Sequence, residues 1–319
     1  MKKIVLMICM LLILSLGACS NQKSIEYSDD TPIVVEMENE ELKILQLTDL
    51  HLTYGIDAND RKTFALIKKL VSSAEWDLVV LSGDMTMSSL GPSLFKRLVR
   101  TMEDLLVPWT FVFGNHETDY HSYEDYLAYT ENTEYLLFKT GPELEGGGVG
   151  NFAIEFQKDG VPFYLVYLLD SHAERNEYTE AEGKYDYLAE TQVDWYEQNV
   201  QDDVVDSIMF MHIPLRQFVL LETDPLIDYT GVLEEKVCPQ GIDTGMFSAI
   251  TTWEKTKGVF VGHDHLNDTV FTLDGVVLGY GRASGYNGYG DLERGGRVVE
   301  IDSDQIMTTY VLLESEVSS

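Results

Sequence analysis

From Leu42 to Phe113 short apolar runs alternate with helical periods, and that order limits the possible folds more than any other feature of the 319-residue chain. Ile44-Leu45-Gln46-Leu47 reads as a strand, Thr63 to Ser73 as a helix, and Leu78-Val79-Val80-Leu81 as a strand buried on both faces. After Pro92, the residues Leu94, Phe95, Leu98, Val99, Met102, Leu105 and Leu106 recur at three-to-four spacing, which predicts an amphipathic helix closed by Pro108. Trp109 to Phe113 predicts a third strand. A β-α-β-α-β order predicts a parallel sheet with right-handed crossovers. Ligands meet such sheets at the carboxyl ends of strands. Polar clusters stand at those ends: Asp49 after the first strand, Gly83-Asp84 after the second and Gly114-Asn115-His116 after the third.

The second half leans towards strands. Phe152 to Phe156 and Phe163 to Leu169 flank Lys158-Asp159-Gly160, and Val270 to Leu273 with Val276 to Leu278 flank Asp274-Gly275, so two hairpins are predicted. A helix over Ala189 to Val200 precedes the strand Ile208 to Met211. Histidine again follows strands: His212 after that one, and Gly262-His263-Asp264-His265 after Val259-Phe260-Val261. Five of the seven histidines, His51, His116, His212, His263 and His265, therefore sit just past predicted strands beside Asp, Asn or Gly. Packing alone does not account for that placement, although Asp-x-His or Gly-Asp alone is a weak signal.

The first residues stand apart from the fold. Lys2 and Lys3 precede an apolar stretch from Ile4 to Leu16, too short to span a bilayer, which predicts an export signal. It ends in Leu16-Gly17-Ala18-Cys19, which resembles a bacterial lipobox. That resemblance implies lipid attachment at Cys19 and an extracytoplasmic position on a bacterial cell membrane, with several acyl chains giving stable anchoring. Residues 20–41, polar and acidic with Pro32, are expected as a linker, and residues 42–315 as one catalytic domain. With Cys9 in the signal and Cys19 in the lipobox, Cys238 is the remaining thiol, which excludes an internal disulfide and a thiolate metal site in the body. The formal net charge of −32 lacks the basic surface that nucleic acid binding needs, so no nucleic acid partner is expected.

Taken in order, Asp49-Leu50-His51, Gly83-Asp84, Gly114-Asn115-His116-Glu117, His212 and Gly262-His263-Asp264-His265 resemble the five motif blocks of the calcineurin-like metallophosphoesterases. Leu169-Asp170-Ser171-His172, His212-Ile213-Pro214-Leu215, Val261 to Asp268 and Tyr280-Gly281-Arg282 with Gly285 to Gly290 are similar to the subgroup holding the fungal Dcr2 phosphatase and plant proteins classed with purple acid phosphatases. The resemblance implies an α/β four-layer sandwich, two mixed β-sheets flanked by helices. It also implies two divalent metals, one on Asp49, His51, Asp84 and His265 and one on Asp84, Asn115, His212 and His263, with Asp84 as the bridge.

Chemistry accounts for these residue types. Two dications about 3.5 to 4 Å apart can serve both the entering and the leaving oxygen of a phosphate ester. Oxygen and imidazole ligands suit Mn, Fe or Zn. Two dications with two carboxylates and one bridging hydroxide carry a single net positive charge, so the cleft attracts phosphate within an acidic body. The expected reaction is in-line attack by that hydroxide on a phosphorylated substrate, with His116 facing the scissile phosphate. A phosphodiesterase or nucleotidase of the same fold, and a lipoprotein that binds a phosphorylated ligand without turnover, are the alternatives. A two-metal peptidase or lactamase is disfavoured because its His-x-His-x-Asp-His cluster is absent.

Departures from the family pattern matter. Met85-Thr86-Met87 follows Asp84, so the Asp-Arg of the protein phosphatases is missing, and with it the carboxylate that would orient His116. Glu117 is not assigned that role. The tyrosine that colours purple acid phosphatases is also missing, which predicts a colourless metal pair. Arg282, Arg216 and Arg294 are candidate phosphate contacts, because guanidinium forks match phosphate oxygens.

Overall fold

The computed structural model describes residues 24–318. The signal and Cys19 lie outside them. In chain order the elements are β1 (Ile33–Glu36), β2 (Leu42–Leu47), α1 (Ala58–Val71), β3 (Leu78–Ser82), α2 (Gly91–Glu103), β4 (Trp109–Val112) and α3 (Tyr123–Leu127). There follow β5 (Phe152–Lys158), β6 (Val161–Leu168), α4 (Glu190–Val200), β7 (Ser207–Phe210), α5 (Leu220–Thr223), β8 (Tyr229–Thr230) and α6 (Met246–Trp253). The chain closes with β9 (Thr256–Val261), β10 (Val270–Leu273), β11 (Val276–Tyr280), β12 (Gly295–Ile301) and β13 (Met307–Leu313).

Two mixed sheets form, one of five strands in the order β13-β12-β2-β3-β4 and one of eight in the order β1-β5-β6-β7-β9-β11-β10-β8. Strand periodicity decides how they stack, because successive side chains point to opposite faces. In β2, Leu42 and Ile44 enter the core between the sheets while Leu45 and Leu47 meet α1 and α2 on the outer face. β3 repeats this, with Leu78 and Val80 inward and Val79 and Leu81 outward. On the other sheet Ile208, Phe210 and Phe260 fill the inter-sheet core, while Met209, Val259 and Val261 pack beneath α4 and α6. The result is helix, sheet, sheet, helix. Both central faces are buried, which is why these strands read as continuous apolar runs.

Local chemistry sets the element ends. Asp57 caps α1 by accepting from the N–H groups of Asn59 and Asp60, so the helix starts five residues before the apolar period suggests. α2 stops at Glu103, and Leu106 is exposed with φ of 58°, so Leu105 and Leu106 belong to the turn rather than to the expected helix. Both hairpins form where expected, and each turn carries the positive φ its Asp-Gly pair tolerates: 52° and 73° at Asp159 and Gly160, 47° and 83° at Asp274 and Gly275.

One expected boundary needs correcting. Much of the linker placed at residues 20–41 belongs to the fold, because Ile33 to Glu36 pair in parallel with Ile154 to Gln157 at the edge of the larger sheet. Upstream of that strand, Lys139 pairs with Asp29, and Ser28 exchanges hydrogen bonds with Gly141. The acidic flanks hide a three-residue apolar run that supplies the strand's inward contacts.

Candidate metal centre

The loops after β2, β3 and β4 bring Asp49, His51, Asp84 and Asn115 from the smaller sheet. The loops after β7 and β9 bring His212, His263 and His265 from the larger one. All seven are buried, with no more than 7% exposure. Four of them have left-handed backbone: φ is 55° at Asp49, 45° at His51, 50° at Asp84 and 81° at His263. Such conformations cost energy in non-glycine residues and gather where a site dictates geometry.

Ligand atoms meet in adjoining groups. Atoms of Asp49, His51 and His265 lie within 4.8 Å of one another, as do those of Asp84, His212 and His263. Nε2 of His51 and Nε2 of His265 are 2.9 Å apart, and Nε2 of His265 is 3.3 Å from Oδ1 of Asp49. Asp84 Oδ2 lies 3.6 Å from Nε2 of His51 and 3.2 Å from Nε2 of His212, so this carboxylate stands between the groups. Asn115 sits in the same cavity wall.

The donor set fits two cations. Nε2 of His263 and Oδ1 of Asn115 are buried without a hydrogen-bond partner, which is costly unless a cation or water takes them up. Nδ1 of His212 donates to the Ser82 carbonyl at 2.8 Å, fixing the ring with Nε2 towards Asp84. The titration pattern follows from charge and burial. Burial holds the His51 and His263 imidazoles down, to about 4 and about 3. At His212 burial opposes protonation but the Asp84 and Asp49 carboxylates outweigh it and raise the ring to about 10; Asp49 likewise raises His265. Asp49 and Asp84 remain ionised despite burial, because these rings face them.

Supporting contacts lock the loops. Ser171 Oγ accepts from the backbone N–H groups of His212 and Ile213, at 3.3 and 2.8 Å. Asp49 accepts from His263 N–H at 3.2 Å, tying a loop of one sheet to a loop of the other. Glu117 is fully buried and accepts from the N–H groups of Asp84, Thr86 and Gly114, at 3.1, 2.8 and 2.8 Å. Burial and the nearby Asp84 charge raise its carboxyl to about 7. The glycine-rich run is a packing device here. A methyl at Gly285 would strike the carbonyls of Asp49 and Leu50, and one at Gly288 would lie 2.8 Å from the His265 ring.

His116 is half-buried at the cavity rim, with Nε2 4.0 Å from Asp84 Oδ2 and Nδ1 2.7 Å from Asp119 Oδ2. Burial lowers its basicity, but Asp84 and Asp119 more than offset this and its pKa is raised. Asp119 is a site residue that sequence reasoning missed, as are Tyr185 and Tyr289 in the cavity wall. The only signal for Asp119 is the i, i+3 spacing from His116 in a polar loop.

The arginines expected as phosphate contacts are placed elsewhere, which corrects that expectation. Arg282 is buried, pairs with Asp268 at 2.6 Å and donates to the Glu293 carbonyl at 2.7 Å. Arg216 donates to the carbonyls of Gly241, Gln240 and Glu182, and Arg294 to those of Gly288, Tyr289 and Gly290. Each guanidinium satisfies backbone carbonyls that would otherwise be orphaned. His172 and Asp170 lie behind the centre, where Asp170 accepts the N–H groups of Val149 and His172 and Gln192 meets His172 at 3.0 Å.

A sandwich of two mixed sheets with two oxygen-and-imidazole clusters at its strand ends is the build of a dinuclear phosphoesterase. The chain belongs to the family described as calcineurin-like phosphoesterase, whose model matches residues 42–267. It is accordingly a metal-dependent phosphoesterase of a family that uses two divalent metals. It is 28% identical to "Probable inactive purple acid phosphatase 14" of Arabidopsis thaliana over 84% of this chain and 76% of that one. To "Phosphatase DCR2" of Saccharomyces cerevisiae it is 28% identical over 73% of this chain and 45% of that one. Among solved structures, a dimetal phosphatase from Danio rerio shares the fold at a TM-score of 0.59 and 13% identity, covering 85% of this chain and 95% of that one.

Proposed function

We propose that the protein hydrolyses phosphate esters at the outer face of a membrane, held there by lipid on Cys19. The observation that carries the hydrolytic reading is the convergence of Asp49, His51, Asp84, His212, His263 and His265 into two adjoining groups, with Asn115 in the same wall. Every ligand position keeps a competent side chain. That supports turnover over the alternative of a binding protein that has lost it, whatever the name of its Arabidopsis relative says of that protein. Export and anchoring are supported by the basic head, the apolar stretch and the Gly-Ala-Cys ending of residues 1–19.

When bound, the two cations supply a water-derived nucleophile near neutral pH and neutralise charge on the phosphate oxygens. Asp49, His51 and His265 would hold one, and His212, His263 and Asn115 the other, with Asp84 between them. The chain's own contribution is placement. Asp84 accepts the backbone N–H of His116 at 2.9 Å, which sets that loop against the centre. His116 presents Nε2 towards the cavity, where it can hydrogen-bond a phosphate oxygen or give a proton to the leaving oxygen. Asp119 fixes Nδ1 as the donor on the far side of the ring, so the proton at Nε2 is the one that moves. Metal-loaded protein is expected to cleave p-nitrophenyl phosphate or its bis ester; absence of turnover with Mn, Zn and Fe supplied separately would reject the reading.

A further inference from the structure

The centre opens into a cavity of about 270 Å³ with two tyrosines in its wall and, among the described residues, no lysine or arginine lining it. Tyr289 stacks on the His265 ring with centroids 4.1 Å apart and planes 15° from parallel. Its hydroxyl donates to Glu235 at 2.6 Å, which holds the ring in place, yet the residue keeps 53% exposure, so the face away from His265 is open. Tyr185 stands on the other side, edge to face with His263 at 4.2 Å. Lys184 lies over the Tyr185 ring and pairs with Glu174, and it is not among the residues that line the cavity. Arg282, Arg216 and Arg294 are committed to Asp268 and to backbone carbonyls, as described above.

Charge and shape together select a class of substrate. A dianionic phosphate monoester needs compensation beyond the metals, usually from a guanidinium fork. Among the described residues, no guanidinium lines this cavity. Beyond the ligands, the acidic groups beside the cavity are Asp264 in its wall and Glu235 behind Tyr289. Two bound dications set against Asp49, Asp84 and an anionic nucleophile would leave one net positive charge, which a monoanion would balance and a dianion would overshoot. An aromatic ring with one open face beside the metals offers a stacking platform, and a planar group gains from it whatever its edge chemistry. Resting on the phosphoesterase reading, we infer that the site selects monoanionic phosphodiesters carrying a planar aromatic group, with Tyr289 and Tyr185 as the specificity-determining residues.

The test uses inert ligands and a matched set of esters. In mildly alkaline buffer diphenylphosphinate is a monoanion with rings, dimethylphosphinate a monoanion without them, and phenylphosphonate a dianion with one. Calorimetric titration of the metal-loaded protein is expected to rank diphenylphosphinate about tenfold tighter than either, the scale of one stacking contact. Tyr289→Leu should shrink the diphenyl-to-dimethyl ratio to about twofold, whereas Tyr289→Phe, which keeps the ring, should preserve it. Metal content measured on each variant separates a lost platform from a lost cation. In parallel, bis(p-nitrophenyl), methyl p-nitrophenyl and p-nitrophenyl phosphate share a leaving group, and kcat/KM should fall in that order.

Tightest binding of phenylphosphonate, or an unchanged ratio in metal-replete Tyr289→Leu, overturns the inference while leaving the hydrolase reading intact. The expected binding order with no ester cleaved does the reverse.

Discussion

Nδ1 of His116 lies 2.7 Å from Oδ2 of Asp119, while Nε2 of the same ring faces Asp84 at 4.0 Å. One ring is thus gripped from behind and aimed forward. A proton donor held this way loses little orientation freedom before the transition state. His116→Ala is expected to lower kcat about a hundredfold or more. Asp119→Asn keeps a hydrogen-bond partner but drops the charge, and should lower kcat about tenfold with KM nearly unchanged. Steady-state kinetics on metal-replete protein checks both, and wild-type turnover in the alanine variant would remove His116 from the reaction.

Asp84 touches both ligand groups, so its loss should remove more than one cation's worth of affinity. Asp84→Asn is expected to cut activity at least about a hundredfold and to leave the protein short of metal after dialysis. Elemental analysis gives the stoichiometry. Two metals retained at full activity would show that this carboxylate is not the bridge.

Protons and metals compete for the same rings. His212 is raised to about 10, so it is charged at neutral pH in the metal-free protein and must release a proton to bind a cation, and the rise at His265 acts in the same direction. Apparent metal affinity should therefore rise with pH. The stability sign runs the other way without metal. His212 is raised above its ordinary 6.5, so its contribution is full below that pH and is lost as pH rises through about 10. Calorimetric metal titrations in buffers of different ionisation enthalpy should show proton release, and thermal melts at pH 6.5 and 10 should converge on metal loading.

Gly285 has no room for a side chain, and the atoms it would meet are backbone carbonyls of Asp49 and Leu50. Gly285→Ala is expected to destabilise the fold by about 2 kcal/mol or more, since backbone cannot step aside as a flexible side chain can. Chemical denaturation measures this. A change within error would mean that the ligand loop shifts freely.

The strand ends and their polar clusters were legible in the sequence, because strands buried on both faces leave apolar runs and each run here stops at Asp, Asn, Gly or His. The two Asp-Gly hairpins were legible for the same local reason. What escaped was set by distant partners. Ile33 to Glu36 form a strand only because Ile154 to Gln157 stand beside them, and the acidic flanks conceal the short apolar run. Arg282 reads as a phosphate contact until Asp268 is seen to neutralise it. Leu106 continues the spacing of α2, but its left-handed backbone has already left the helix. Asp119 carries no signal beyond its three-residue spacing from His116, and its meaning comes from the ring it touches.

Because Asp49, Asp84 and Asn115 hang from one sheet and His212, His263 and His265 from the other, a cation held between them would be a rivet through the whole sandwich. The first and last thirds of the sequence then share a common fastening. Neither layer can peel away while it is in place, and a chelator should loosen the entire body at once instead of freeing a single loop.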